Sequence, residues 1–371
     1  MVKIYSKDRS PDIPNRKNIM LRVILFILII LIIFILYKGY TTGIHGIKDH
    51  PLSNSINTPI PASSIPGESE WKDQGIILKA GDPGSWDVRL NGMISPCSII
   101  KKDGTYFLYY IGSDGDRGPP HNDDGPRHRK LGVATSTDGI KFSRYSDNPI
   151  LTFSPNSNEE EGIFSAGATL DDNKNIILYY GAMDARSSGS TTVDSDIRLA
   201  VSDNGFDFRD IKDVVSHSDS TVWGFGDELF PVSSFHINNK WYVYYTAKGN
   251  NNIMWDLGLA WGPDKENLPH TCPVLVSDDS NKGGCNIVML NDDEIALFIS
   301  KNGSESYIEV RTAKTSDPGT LSEPLVKYIF DSYNAVVFYD QDIDTWFMYY
   351  LRDGDNSIRL KMVYPEEQNP R

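Results

Sequence analysis

Carboxylates recur at three matching places in this chain, each just ahead of an apolar, strand-like segment. Asp87 lies in GSWDVRLNGMISP, Glu161 ends an acidic run before GIFSAG, and Asp227 and Glu228 precede LFPVS. Glycosidic cleavage needs one protonated acid for the leaving oxygen and one ionised carboxylate as base or nucleophile. When two carboxylates lie close together, their repulsion separates their pKa values. One would then stay protonated as the proton donor while the other is ionised. Taken singly, each acid also fits a turn or rim position, but the matching offsets favour chemistry.

Five self-similar aromatic segments would have to position these acids. Each follows an apolar segment and a polar turn, and the unit recurs at roughly 40–50 residues, which is typical of propeller blades. Helical periodicity is scarce after residue 71. We therefore predict an all-β, five-bladed propeller over residues 71–364. The aromatic segments are 105–113, 175–183, 240–248, 294–302 and 345–353.

The fifth blade lacks an outer strand in sequence. We predict that GIILKAG, residues 75–81, supplies that strand and closes the ring, because closure removes an exposed sheet edge. The paired tyrosines of the aromatic segments are expected to pack between blades rather than to bind a ligand.

Further candidate substrate contacts lie near the blade entries and in two long linkers, residues 114–130 and 185–196. Long connections in a compact domain are commonly functional or mobile. Tryptophan rings stack on sugars, although packing is the commoner role. No second motif with metal-ligand spacing accompanies the histidines, so no metal or cofactor is expected; a structural cation in the channel is left open. The predicted substrate-binding residues are Trp86, Arg89, His121, Arg127, His128, Trp223, Asp227 and Trp255.

The N-terminal part predicts a membrane anchor. Residues 23–37 form an unbroken apolar run, and six basic residues precede it against two acids. This asymmetry places the N-terminus in the cytoplasm and the propeller outside. We expect a cytoplasmic tail at 1–19, a transmembrane helix at 20–38, a Pro/Ser-rich spacer at 39–70 and a C-terminal tail at 365–371. A cleaved signal peptide is the alternative, but no small-x-small site follows Tyr37.

The net charge limits the class of partner, and the cysteine content limits the disulfides that can form. The chain has 371 residues, a formal net charge of -14 and three cysteines. An acidic surface argues against nucleic acid and anionic lipid; it fits a neutral ligand such as a carbohydrate, although plain solubility is the commoner reason for such a charge. We expect Cys97 to be a buried thiol, while pairing of Cys272 with Cys285 stays open, as does the oligomeric state.

The pattern GSWD…ISPCSIIKKDGTYFLYYIGSDG…RKLGVATSTDG resembles the five-bladed propeller glycoside hydrolases, the arabinanase, levansucrase and invertase-like group that includes families 43, 32, 62 and 68. The resemblance covers about residues 71–364. It implies that Asp87 is the base or nucleophile, Glu161 a supporting acid and Glu228 the proton donor, acting on an oligo- or polysaccharide.

The chain departs from that group where the first blade begins. Ser95-Pro96 stands where family 43 enzymes usually carry Asp-Pro, and the second-blade acid is Glu rather than Asp. This departure favours an alternative function, a glycan-binding or surface-assembly propeller without catalysis. Sugar transfer or phosphorolysis on the same scaffold is a third alternative.

Overall fold

The computed structural model describes residues 64–88, 94–113, 129–152, 162–183, 195–224, 228–248, 255–276, 281–302, 306–329, 333–352 and 355–365. All belong to the compact unit Pro59–Arg371. The predicted tail and transmembrane segment, and the spacer up to residue 63, lie outside them. Among the described residues, no helix has the length and apolarity needed to span a bilayer.

The described chain forms five antiparallel sheets, which confirms the predicted all-β, five-bladed propeller. A short 3-10 turn, Glu68–Glu70, precedes the first strand. Blade one contains β2 (Ile94–Lys102), β3 (Thr105–Gly112), β4 (Lys130–Ser136) and β5 (Ser143–Arg144). Blade two contains β6 (Gly162–Leu170), β7 (Ile176–Met183), β8 (Ser195–Ser202) and β9 (Arg209–Val215).

The remaining blades follow the same order from the inner to the outer strand. Blade three contains β10 (Phe230–Ile237), β11 (Lys240–Lys248), β12 (Trp255–Gly262) and β13 (His270–Leu275). Blade four contains β14 (Asn281–Asn291), β15 (Glu294–Asn302), β16 (Tyr307–Lys314), β17 (Asp317–Leu321) and β18 (Val326–Tyr328). Blade five contains β19 (Tyr333–Asp340), β20 (Thr345–Arg352), β21 (Asp355–Val363) and β1 (Lys72–Lys79).

The predicted ring closure is confirmed by the pairing of β1 with β21. These strands are antiparallel, with Lys72 opposite Met362 and Lys79 opposite Ser357. The first strand of the described chain therefore completes the last blade, and the outer edge of that sheet is covered by a segment distant in sequence.

The aromatic segments form the second strand of each blade, and their tyrosines join neighbouring blades, as predicted. In four blades a buried tyrosine hydroxyl donates to a backbone carbonyl in the outer part of the following blade. Burial raises the pKa of these phenols, so they remain protonated donors. Blade four carries Phe298 at this position, and there Tyr328 donates to Pro66 of the N-terminal segment. The four bonds are Tyr109–Gly205, Tyr179–Lys265, Tyr244–Pro318 and Tyr349–Gly139.

Candidate functional site

A β-bulge interrupts the early part of every inner strand. The pairing register with the second strand shifts at the same place in all five blades. A bulge leaves a residue unpaired and re-aims its side chain, and bulges are frequent beside active sites. The residues passed over by the pairing are Cys97, Phe164, Val232, Gly283 and the pair Asn334–Ala335.

All of these bulge residues line one axial cavity. It has a volume of about 100 Å³ and is walled by all five inner strands near their beginnings. A water molecule takes roughly 30 Å³ in the liquid, so the space admits a few waters or one substituent of a sugar. The bulges thus make the start of each inner strand part of the wall of this axial space, which we call the bulge cavity.

A ring of hydrogen bonds fixes this wall by linking each inner strand to the next. Each bond joins a side chain of one inner strand to the backbone or to a side chain of a neighbouring inner strand, and together the bonds connect all five blades. Gly167 permits a close approach of two inner strands, because a Cβ at this position would lie 2.8 Å from the Ser233 Cα. Beyond the ring, the channel opens again into a second cavity of about 310 Å³. The bonds are Ala168–Ser98, Ser234–Gly167, Ile287–Ser233, Val337–Asn286 and Asn334–Ser95.

One side of the bulge cavity carries a column of stacked side chains. The Arg129 guanidinium carbon lies 4.0 Å from the Phe164 ring centroid, and Phe164 stacks on Phe230 at 4.3 Å. Trp255 packs on Phe230 at 5.0 Å, so this predicted contact residue backs the cavity wall. Phe164 remains 39% exposed, enough to offer an apolar face to a ligand.

Polar groups complete the cavity. Arg129 is the one charged side chain among its lining residues in the described ranges. The Ser165 hydroxyl is buried there and has no hydrogen-bond partner among the described residues. A buried polar group without a partner is costly, which marks it as a candidate ligand contact. Arg129, Phe164, Ser165 and Phe230 were all missed from sequence, because the bulge at Phe164 and the approach of Arg129 to blade two have no clear sequence signal.

The structure places Asp87 in an ion pair outside the residues that line the bulge cavity. Its side chain is 3% exposed, and its Oδ2 accepts from Arg144 Nε at 3.1 Å and from Tyr110 Oη at 3.3 Å. The same Arg144 also donates to the Lys79 carbonyl. Asp87 therefore ties the segment after β1 to blade one.

Two predicted tryptophans pack within blades. Trp86 stacks on Tyr110 at 5.6 Å, and its ring covers Gly132, where a Cβ would lie 2.7 Å from it. Trp223 repeats this arrangement on Gly258, with a Cβ again 2.7 Å from its ring. The glycines in LGVA and LGLA are thus needed for ring packing, a repeat that sequence reasoning left unused.

Glu228 is 8% exposed and lies two residues before the inner strand of blade three. Its neighbour Leu229 exchanges backbone and side-chain hydrogen bonds with Ser195 of blade two, which fixes the entry to that strand. Glu228 is not among the residues lining the bulge cavity. The other predicted site residues lie outside the described ranges: Glu161, Arg89, His121, Arg127, His128 and Asp227.

The three cysteines are unpaired thiols. Cys97 and Cys285 line the bulge cavity from blades one and four, and burial raises the pKa of both. Both are therefore protonated at neutral pH and are weak nucleophiles. Within the described part of the chain, no group of three His, Cys, Asp or Glu side chains is arranged to hold a metal ion.

Comparison with solved structures supports the fold. A putative glycosidase from Bacteroides thetaiotaomicron is similar with a TM-score of 0.59 at 15% identity, covering 81% of this chain and 98% of that one. The family 117 glycoside hydrolase Zg3597 of Zobellia galactanivorans gives 0.58 at 15%, covering 82% and 94%.

A β-1,2-mannobiose phosphorylase from Listeria innocua gives a TM-score of 0.53 at 13% identity, covering 77% and 93%. No protein-family model matches the chain, and no curated protein matches it in sequence. At these identities the likeness shows a shared five-bladed fold.

Proposed function

We propose that this chain is a glycoside hydrolase that acts on an oligo- or polysaccharide at the bulge cavity. The observation that carries the proposal is the ring of five bulges, which turns the axial end of the propeller into a cavity walled by Phe164, Phe230 and small polar groups. Aromatic faces beside hydroxyl and amide groups suit sugar rings. The fold shared with glycosidases supports the same reading.

The proposed acid/base set consists of Glu228, Glu161 and Asp87. Glu228 is the proton donor, because a glutamate at the entry of the third blade is 8% exposed and sheltered from water. Asp87 is the second carboxylate of the set that the resemblance implies, although it is paired with Arg144 at 3.1 Å and lies outside the residues that line the bulge cavity. Glu161 precedes the second inner strand directly and supports the donor.

A Glu228→Gln variant tests the donor role. After screening aryl glycosides and polysaccharides for a substrate, we expect this variant of the full chain to lose at least ~100-fold in kcat. The loss should shrink with aryl leaving groups of low pKa, because they need little protonation. Glu323→Gln, an exposed acid outside the bulge cavity, serves as the matched control. Wild-type turnover in Glu228→Gln would remove Glu228 from the donor role.

A glycan-binding propeller without catalysis is the second candidate. The observation that favours it is the bulge cavity itself, whose described lining contains no carboxylate, with Ser95-Pro96 at the start of blade one. The two functions separate in one experiment: binding of a glycan without its cleavage over a long incubation supports the binding function, and appearance of reducing ends supports hydrolysis.

We further propose that residues 20–38 anchor the protein in a membrane with the propeller outside the cytoplasm. The support is the apolar run 23–37 and its basic flank. We expect the full chain to stay in the membrane fraction after alkaline carbonate extraction, and a chain lacking 20–38 to be extracted. In intact cells, added protease should reach the propeller. Full carbonate extraction of the complete chain would contradict the anchor.

A further inference from the structure

We propose that the bulge cavity recognises a sugar carrying an oxyanion substituent, a uronate carboxylate or a sulfate ester, through Arg129. This inference rests on the proposed glycan-active function and specifies its substrate class. The wall of the bulge cavity includes a guanidinium, a group that pairs with carboxylate and sulfate oxygens, beside its aromatic and uncharged polar groups.

The position of Arg129 is fixed by the backbone. Arg129 immediately precedes β4, and its carbonyl accepts a hydrogen bond from Ile163 N at 2.9 Å. Gly162 has φ +83, and a Cβ there would lie 2.2 Å from the Arg129 carbonyl oxygen. Only glycine suits both the conformation and the close approach, so this pair of segments from blades one and two is specifically built.

The guanidinium of Arg129 lies over an aromatic ring of the cavity wall. It lies 4.0 Å from the centroid of Phe164, and its N–H groups lie in its own plane. A guanidinium carries five N–H donors in a planar fork that matches the oxygens of a carboxylate or sulfate. The exposed Phe164 beside it offers an apolar contact to the sugar.

A second donor lies on the same wall. The buried Ser165 hydroxyl, next in sequence to Phe164, has no partner among the described residues. Charge-assisted hydrogen bonds from a hydroxyl to an oxyanion are short and strong. The volume of about 100 Å³ holds a carboxylate or sulfate group but not a chain of sugars, so the substituent enters and the remaining residues stay at the mouth.

Matched pairs of glycans test the proposal on the full chain in detergent. One pair is oligogalacturonates and their carboxyl-reduced neutral counterparts, and the other is sulfated galactan oligosaccharides and their desulfated counterparts. Binding is measured by calorimetry. We expect the charged member of at least one pair to bind at least ~10-fold more tightly. The pair that discriminates identifies the oxyanion.

Variants tie the preference to the cavity. Arg129→Gln should abolish the difference in affinity between the charged and neutral members of a pair, and Arg129→Lys should retain part of it because lysine is a single-point donor. Lys130→Gln removes the same charge at the next residue, which does not line the cavity, and should leave the preference intact. A general electrostatic effect would instead weaken both variants equally.

Three outcomes overturn the inference, and they differ from one another. Equal binding of charged and neutral members removes the oxyanion preference but keeps a glycan-active protein. Binding of no glycan of either kind overturns the proposed function as well. Arg129-dependent binding of inorganic phosphate, with equal affinity for both members of each pair, assigns Arg129 to phosphate and favours phosphorolysis.

Discussion

Replacing Asp87 by Asn separates a structural role from a catalytic one. The substitution keeps the size of the side chain and one acceptor oxygen but removes the charge that faces Arg144 and Tyr110. The perturbation therefore acts on the contact that joins the end of β1 to blade one. If this contact holds the ring closed, Asp87→Asn lowers stability as well as activity.

The magnitude follows from burial. Asp87 is 3% exposed and Arg144 33% exposed in their side chains. Breaking a fully buried pair costs about 3–5 kcal/mol and an exposed pair about 0–1 kcal/mol. A pair with one sheltered and one partly wet partner lies between, at about 2–3 kcal/mol. At ~2–4 °C per kcal/mol for a domain of this size, Tm should fall by about 5–10 °C.

The assay is thermal unfolding of the full chain followed by circular dichroism, for Asp87→Asn, Arg144→Met and the double variant. Because the two residues share one contact, the double variant should be less destabilised than the sum of the single losses. Tyr110→Phe is the control for the weaker hydrogen bond at 3.3 Å, and should cost only about 0.5–1.5 kcal/mol.

Two results would refute this reasoning. A wild-type Tm for Asp87→Asn, or additive losses in the double variant, would show that the pair does not stabilise the closure. If Asp87→Asn loses turnover while its Tm stays at the wild-type value, the Asp87 carboxylate serves the reaction, and its assignment to a structural role is wrong.

Two further predictions concern the packing of the inner strands and the contribution of turn carboxylates to stability. Gly167→Ala should destabilise the protein by about 1–3 kcal/mol in denaturant unfolding, since its Cβ would meet the backbone of Ser233 at 2.8–3.0 Å; Gly284→Ala, whose nearest atom would be 3.9 Å away, should not. The free energy of unfolding should decrease below about pH 4. Burial alone would raise the pKa values of Asp138 and Asp171. Hydrogen bonds to each carboxylate outweigh burial and lower both pKa values below the unfolded value of roughly 3.9. That stabilisation is complete above the unfolded pKa and is lost as pH falls through the folded pKa, so Asp138→Asn should show a shallower acid loss; an unchanged pH profile would exclude this cause.

Local sequence patterns were enough to predict the blade repeat. The second strands occur where the aromatic segments placed them, for instance β11 at Lys240–Lys248 and β15 at Glu294–Asn302. The turn at Asp103-Gly104 has positive φ at both residues, as its composition indicates. These features depend on alternation and turn chemistry within about ten residues, which a sequence displays directly.

The candidate site was predicted less well, because its members are distant in sequence. Arg129 and Phe164 meet across two blades, and Asp87 meets Arg144 across a separation of 57 residues. The sequence predicted acids at matching places before the inner strands, around one funnel, but the structure places Asp87 seven residues before β2 and Glu228 only two before β10. The five bulges instead place the six residues that the pairing passes over at the cavity, while Asp87 pairs with Arg144.

The sequence by itself determined that five strand units repeat, that the early segment 75–81 is available to close them, and that the N-terminal run is apolar enough to predict an anchor. The tertiary structure decided which side chains lie around the central axis of the propeller. The physical reason is that periodicity sets the face of a strand on which a residue lies, whereas bulges and close approaches such as Gly167 on Ser233 re-aim individual residues. Those adjustments depend on the neighbouring blade, which no local pattern records.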